Sequence, residues 1–307
     1  MNNNLKNYKS FLQEKKYKPN TLQSYLLDLL DFEEFLHNNE PKKELEEVTD
    51  IDVYEYRMVL EQEYHYKQTS INRRLCSIRS FYSYLFEVTG QQLLNFQSMQ
   101  SSKNKYEINI TSKENINSLI NGIKEDNYQS FRNKLIIKIC WETGLKTTEI
   151  INLRWENISS DNKTIYVSND LRTIPITDTL NNKLIEYKMY QEKILGVGNL
   201  VFRTRAGEQF TSRGIQRLLK EECTKQKIDK SITFSTIRNT LAVELFKLGF
   251  NIKYVQNKLG YKNINELSQL YDIFHPENED IDDKFRKTIE NITKTEPDNG
   301  SAFFVNF

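Results

Sequence analysis

The spacing of apolar residues over the first ninety positions constrains the fold of this chain more tightly than any other feature. In "PNTLQSYLLDLLDFEEFL" they fall at Leu22, Tyr25, Leu26, Leu29, Leu30, Phe32 and Phe35, close to the period of about 3.6 residues that marks a helix. Such spacing lays one apolar stripe along a helix and cannot alternate across a strand. Pro19 suits a first helical turn, with Asn20 as the candidate cap. "DIDVYEYRMVLEQEY", opening after Thr49, reads as a second amphipathic helix. "KQTSINRRLCSIRSFYSYLFEV" reads as a third, with Ile71, Leu75, Ile78, Phe81, Tyr82 and Leu85 on its apolar side and Gly90 as its stop. Each stripe needs a partner to cover it, so residues 1–90 are expected to form a helical domain.

The pattern then changes. Residues 91–110, "QQLLNFQSMQSSKNKYEINI", are polar and weakly periodic and read as a linker. Thr111 or Ser112 is placed to cap a new helix, and "YQSFRNKLIIKICWETG" is apolar enough to be a buried helix closed by Gly144. Short strand signals follow in "NLRWENI", "KTIYVS" and "RTIPIT", with Asp161 and Asn162 as turn residues. Helices resume at Asp178. The expectation is a mainly α (α+β) protein: a helical domain over 1–90, a linker over 91–110, a mostly helical domain with a small antiparallel sheet over 111–290, and a tail over 291–307.

A chain of 307 residues can bury two such cores. Its formal charge of +1 announces no nucleic-acid partner as a whole, but binding depends on local patches and not on the sum. One patch is the polar side of the third helix. Lys67, Thr69, Asn72, Arg73, Arg74 and Arg79 lie there with no acid among them, a composition that suits a run of phosphates beside a groove and equally a solvated face. "RTRAGEQFTSRGIQRLLKEE" offers a second basic track through Arg203, Arg205, Arg213 and Arg217. The cysteines Cys76, Cys140 and Cys223 are isolated and lack metal-site spacing, as in reduced thiols of a cytoplasmic protein. No apolar run approaches a membrane span, and the N-terminus lacks the apolar core of a signal peptide.

In "WETGLKTTEIINLRWENI" the order of residues becomes specific. Thr143, Gly144, Leu145, Glu149, Leu153, Trp155 and Ile158 resemble the first active-site box of the tyrosine recombinases (phage integrases and Xer-type resolvases), with Lys146 where that box carries arginine. "FSTIRNTLAVELFKLGFNI" resembles the second box through Arg238, Thr240, Ala242, Leu245 and Gly249, with Ser235 at the histidine position and Asn239 after the arginine. "VQNKLGYKNINELSQLY" resembles the family's "LLGH-S-x-x-T-T-x-x-Y" run through Leu259, Gly260 and Tyr271, with Tyr261 at the histidine or tryptophan position. The two N-terminal helices beginning at Pro19 and Thr69 are similar to the core-binding (SAM-like) helices of the same family. The resemblance spans residues 5 to 275, with its landmarks in order.

The resemblance implies a reaction. A tyrosine phenol attacks a DNA phosphodiester and is later displaced by a 5′-hydroxyl, so the bond energy is held in a phosphotyrosine link. Fixed cationic donors stabilise the charge that builds on the non-bridging oxygens, arginine best because its planar fork grips two at once. It implies Tyr271 as nucleophile, Arg238 as the retained guanidinium, Lys146 in place of the first arginine, and Ser235 and Tyr261 at the histidine-type positions. Ser235 also reads as a plain helix cap. The hairpin lysine of the family has no clear counterpart, and Arg172 or Lys163 stands nearest. His275 falls one turn beyond Tyr271. Arg238 and Tyr271 are expected to converge on one phosphorus.

Two functions fit this pattern. The first is a site-specific recombinase or integrase of a mobile element, clamping double-stranded DNA and working as a tetramer on two sites, with no metal or cofactor. The second is a recombinase-fold protein that binds DNA without cutting it, favoured by the loss of the first arginine and both box histidines. The apolar "AFFVNF" at the end suits docking onto a neighbouring protomer.

Overall fold

The computed structural model describes residues 3–39, 42–95, 108–168, 171–229, 231–262 and 264–274. The tail, the acidic run Glu277–Asp283 and His275 lie outside the described residues. The chain divides into two compact units, residues 1–106 and 107–307.

The first unit is built from α1 (Asn3–Glu14), α2 (Pro19–Asn38), α3 (Asp50–Gln62) and α4 (Gln68–Thr89), joined before α3 by a short 3-10 turn at Leu45–Glu47. Most of the periodic residues of the sequence form or flank its core: Leu29, Phe32, Ile71, Leu75, Ile78, Phe81, Tyr82 and Leu85 are buried together with Leu36 and with Leu5, Tyr8 and Leu12 of α1. Leu22, Tyr25, Leu26 and Phe35 pack against them, and Leu30 is exposed. Each such aliphatic or aromatic side chain removed from water contributes about 1.5–3 kcal/mol. Thr49 and Asp52 form a capping box at the start of α3, and Gly90 closes α4 in the left-handed region at φ 70°. Asn20 does not cap α2: the cap position is Lys18, without a side-chain bond, and Pro19 begins the helix. The missing N–H of proline makes a side-chain acceptor less necessary there. Leu94 is buried in this core and the Asn95 amide donates to Asp50, so the start of the stretch read as a linker is fastened to the first unit.

The second unit comprises α5 (Lys113–Gly122), α6 (Tyr128–Thr143), α7 (Thr147–Asn152), a sheet of β1 (Ile158–Ser159), β2 (Thr164–Val167) and β3 (Arg172–Pro175), and then α8 (Asp178–Leu195), α9 (Ser212–Lys225), α10 (Phe234–Lys247), α11 (Ile252–Leu259) and α12 (Ile264–Phe274). Ser112 caps α5 by accepting from the Asn115 amide. Helix α6 is buried on nearly every side, against α5, α8, α9 and α10, and this accounts for its continuous apolar run. The sheet is antiparallel in the order β1-β2-β3, with Ile165 opposite Ile174. "NLRWENI" yields only the two-residue strand β1, because Trp155–Asn157 form a 3-10 turn. Thr111 is held to α10 through Thr240, so the other end of the linker stretch is fastened to this unit.

Candidate functional site

Gly144 organises the site. It closes α6 at φ 67°, and a Cβ built there would lie 2.0 Å from a methyl of Leu259. Both the backbone angle and the contact require glycine. The close approach brings the carbonyls of Gly144 and Leu259 to the same guanidinium: Arg238 Nε donates to Gly144 at 2.8 Å and Nη2 to Leu259 at 2.7 Å. The Arg238 guanidinium lies over the Tyr261 ring at 4.9 Å, and the Tyr261 hydroxyl donates to Asn239 Oδ1 at 2.9 Å. Arg238 Nη1 has no hydrogen-bond acceptor among the described residues. A guanidinium fixed in this way and keeping a free N–H edge can grip an anion without reorganising. Behind it, burial pushes the Cys140 thiol up to about 12, against the opposing effect of Arg238, so this cysteine is an inert neutral thiol.

Lys146 stands at the mouth of α7. Its backbone N–H donates to Glu149 Oε2 at 2.7 Å, and its Nζ is 3.7 Å from Glu149 Oε1. Arg172 from β3 grips the same carboxylate at both oxygens, at 3.1 and 2.7 Å. With side chains only 10% and 4% exposed, Arg172 and Glu149 form a buried two-point ion pair. The Arg172 fork, expected as a DNA contact or hairpin-lysine substitute, is engaged by Glu149 in this structure. Lys163, the other candidate, pairs with Asp178 at 2.6 Å. In the sequence Glu149 stands out only as a residue of the first box; that it caps α7 and also binds β3 follows from the fold.

Ser235 is exposed in the first turn of α10, and it is not the cap. Thr233 accepts from the Thr236 amide and holds that position. Tyr271, half-buried on α12, meets Phe246 edge to face at 5.3 Å. No hydrogen bond joins it to Arg238. Phe246 lies eight residues beyond Arg238 on α10, roughly 12 Å along the axis. The ring contact of Tyr271 on α10 thus lies two turns beyond Arg238 along the helix.

The two basic tracks change character as well. On α4, Arg73 Nη1 pairs with the buried Asp28, which also accepts from Ser77. Arg74 donates to Asp31 at 2.6 Å and to the Tyr56 hydroxyl at 3.2 Å, and its guanidinium lies over Tyr66. With its side chain only 13% exposed, Arg74 belongs to the packing of α2, α3 and α4. The acids that α4 lacks are supplied by α2. Lys67 and Thr69 are exposed, Asn72 bonds Gln68, and Arg79 is half-buried. In the second track, Arg203 is buried on the Gly196 carbonyl and Arg217 pairs with Glu221, while Arg205 and Arg213 are exposed with no ion pair to another described residue.

No helix among the described residues is long and apolar enough to cross a membrane, and no group of three potential metal ligands occurs among them. Among curated proteins, the chain is 26% identical over 291 residues to the tyrosine recombinase XerC of Pediococcus pentosaceus, covering 91% of this chain and 95% of that one. It is 25% identical over 257 residues to XerC of Staphylococcus epidermidis, covering 82% and 86%. The fold is shared with a lambda integrase dimer solved on a COC′ core site (TM-score 0.67, 16% identity, 87% of this chain and 93% of that chain). It is also shared with the XerH site-specific recombinase solved on a palindromic difH substrate (TM-score 0.68, 17% identity, 81% and 75%). Residues 5–87 match the phage integrase N-terminal SAM-like domain, and residues 109–275 match the phage integrase family. The chain belongs to the phage integrase family, the tyrosine recombinases.

Proposed function

We propose that the protein is a site-specific DNA recombinase or integrase that acts through a 3′-phosphotyrosyl intermediate on Tyr271, in the service of a mobile element. The observation that carries this reading is Arg238, seated on two backbone carbonyls with Nη1 unspent. An edge of this kind is suited to a non-bridging phosphate oxygen, where charge accumulates in the transition state. Lys146 adds a second cation beside it, as a point charge without a fork. Tyr261 keeps the guanidinium flat. The phenolic oxygen of Tyr271 forms the new ester to phosphorus as the 5′-oxygen departs with a proton. Relatives named as tyrosine recombinases and structural neighbours solved on DNA support duplex DNA as the partner. Strand exchange between two sites calls for a tetramer.

A second reading, DNA binding without cleavage, is favoured by the docking of Tyr271 on Phe246 and by the tie of Lys146 to Glu149. A nicked suicide duplex, drawn from inverted repeats flanking the gene, separates the two. Cleavage traps the protein covalently on the DNA, and Tyr271→Phe abolishes the adduct. Specific gel-shift binding with no adduct at any site establishes the second reading.

A further inference from the structure

Arg172 and Lys146 meet on one carboxylate, and their holds on it are unequal. The Arg172 fork donates from Nη1 to Glu149 Oε1 at 3.1 Å and from Nη2 to Oε2 at 2.7 Å. The Lys146 backbone amide also donates to Oε2 at 2.7 Å, whereas the Lys146 ammonium stays 3.7 Å from Oε1, beyond hydrogen-bonding distance. Lys183 and Glu186, at the same spacing but both within α8, close to 3.0 Å although the Glu186 side chain is 59% exposed. Glu149 is withdrawn from water, where a charge pair attracts more strongly. The fork accounts for the longer distance. It takes a site on each oxygen and brings a second positive charge to the same acid.

The pair also ties two elements together, since Glu149 belongs to α7 and Arg172 to β3. Lys146 follows Gly144 by two residues, and the Gly144 carbonyl seats Arg238 Nε. The Lys146 side chain is 28% exposed and can be reached from solvent; that of Arg172, at 10%, is largely enclosed.

We infer that Arg172 is a positioning residue for Lys146. By occupying both oxygens of Glu149, it stops the carboxylate from capturing the ammonium, so that a phosphate oxygen can compete for it. The inference rests on the reading of Lys146 as the cation in place of the first arginine, and it adds the residue that governs that cation. Arg172 itself acts from within the protein and touches no DNA.

The first arm of the test needs no DNA. The full-length chain is treated with a limiting dose of an N-hydroxysuccinimide ester, and acylation of Lys146 is read by peptide mass mapping. The variants are Arg172→Lys, Arg172→Met, and Arg172→Met combined with Glu149→Gln. Only the free amine reacts, so an ammonium drawn onto Glu149 is protected. Arg172→Met should slow labelling of Lys146 by about threefold or more, and Arg172→Lys, which cannot grip both oxygens, should fall between it and wild type. The double variant should label at least as fast as wild type. If Arg172→Met does not fold, Arg172→Lys and the double variant carry the comparison. Unchanged labelling in the single variants overturns the inference and leaves the recombinase reading intact. So does faster labelling, the sign that Arg172 merely holds the structure together.

The second arm is single-turnover adduct formation on the suicide duplex. Loss of the Arg172 fork should lower the rate by up to about 10²-fold, the cost of one oriented donor, and should lower it no further once Lys146 is replaced by alanine. Losses that multiply independently overturn the inference. A wild-type chain that forms no adduct sinks the recombinase reading, and the labelling arm alone then decides whether Arg172 governs Lys146.

Discussion

Tyr271 rests edge to face on Phe246, eight residues and about two turns beyond Arg238 on α10. The ring that must present its phenol to phosphorus is thus held by an aromatic contact of its own. An aromatic pair of this geometry contributes about 0.5–1.5 kcal/mol. Phe246→Leu should accordingly speed single-turnover adduct formation on the suicide duplex by up to about tenfold, measured well below the melting temperature. A rate that falls in step with stability would show that the Phe246 contact does not restrain the nucleophile.

Gly144→Ala should damage stability and cleavage together. The added methyl meets Leu259 at 2.0 Å and forces a left-handed φ on alanine, a combination that costs more than about 1 kcal/mol. Leu259 is fully buried, so its methyl has little room to yield, and its carbonyl holds Arg238. Thermal melting and adduct yield are both expected to drop. Full cleavage in a destabilised variant would mean that the guanidinium does not depend on that seat.

Lys146→Arg supplies the fork that the first box lacks. Removal of an oriented donor costs about 10²–10³ in rate, so its return should raise single-turnover cleavage by about tenfold or more. A drop would place residue 146 away from the phosphate.

Arg172→Ala leaves the Glu149 carboxylate, 4% exposed, with Lys146 as its one remaining cation among the described residues. Breaking one side of such a pair costs about 3–5 kcal/mol, visible as a large fall in denaturant midpoint. Glu149→Gln with Arg172→Met should lose much less than the sum of the two single changes. Additive losses would argue against the pair.

On α4, Arg74→Ala should lower the melting temperature while leaving the salt slope of DNA binding unchanged, because Asp31, Tyr56 and Tyr66 hold that side chain. A slope reduced by about 0.9 per variant would instead place Arg74 on a phosphate.

Asp52 provides a pH test of the first unit. Burial raises its pKa, but the Lys43 ammonium and the Thr49 hydroxyl and amide outweigh burial, and the carboxyl titrates below its ordinary range. A depressed folded pKa contributes stability that is present above the unfolded value of about 3.9 and is lost as pH falls through the folded one. Asp52→Asn should destabilise at neutral pH, and the difference from wild type should close under strongly acid conditions. A difference independent of pH would assign the effect to capping geometry alone.

Much of this molecule is legible in one dimension. Apolar period and capping residues located the helices α3 to α6 and α10 near their observed bounds, because burial stripes and helix ends are set by residues within a few positions of one another. The ordered boxes likewise identified the family and singled out Arg238 before any geometry was known. Charge partners were not legible. Arg73 and Arg74 lie more than forty residues from the acids of α2 that pair with them, and Arg172 lies 23 residues from Glu149. A run of like charges on one helix gives no sign of the carboxylates a neighbouring helix will bring. The tertiary structure alone decided which cations are spent on the protein, where Tyr271 rests, and that Arg238 keeps one edge without an acceptor among the described residues. The physical reason is that hydrophobic periodicity is a property of a single element, whereas an ion pair is a meeting of two.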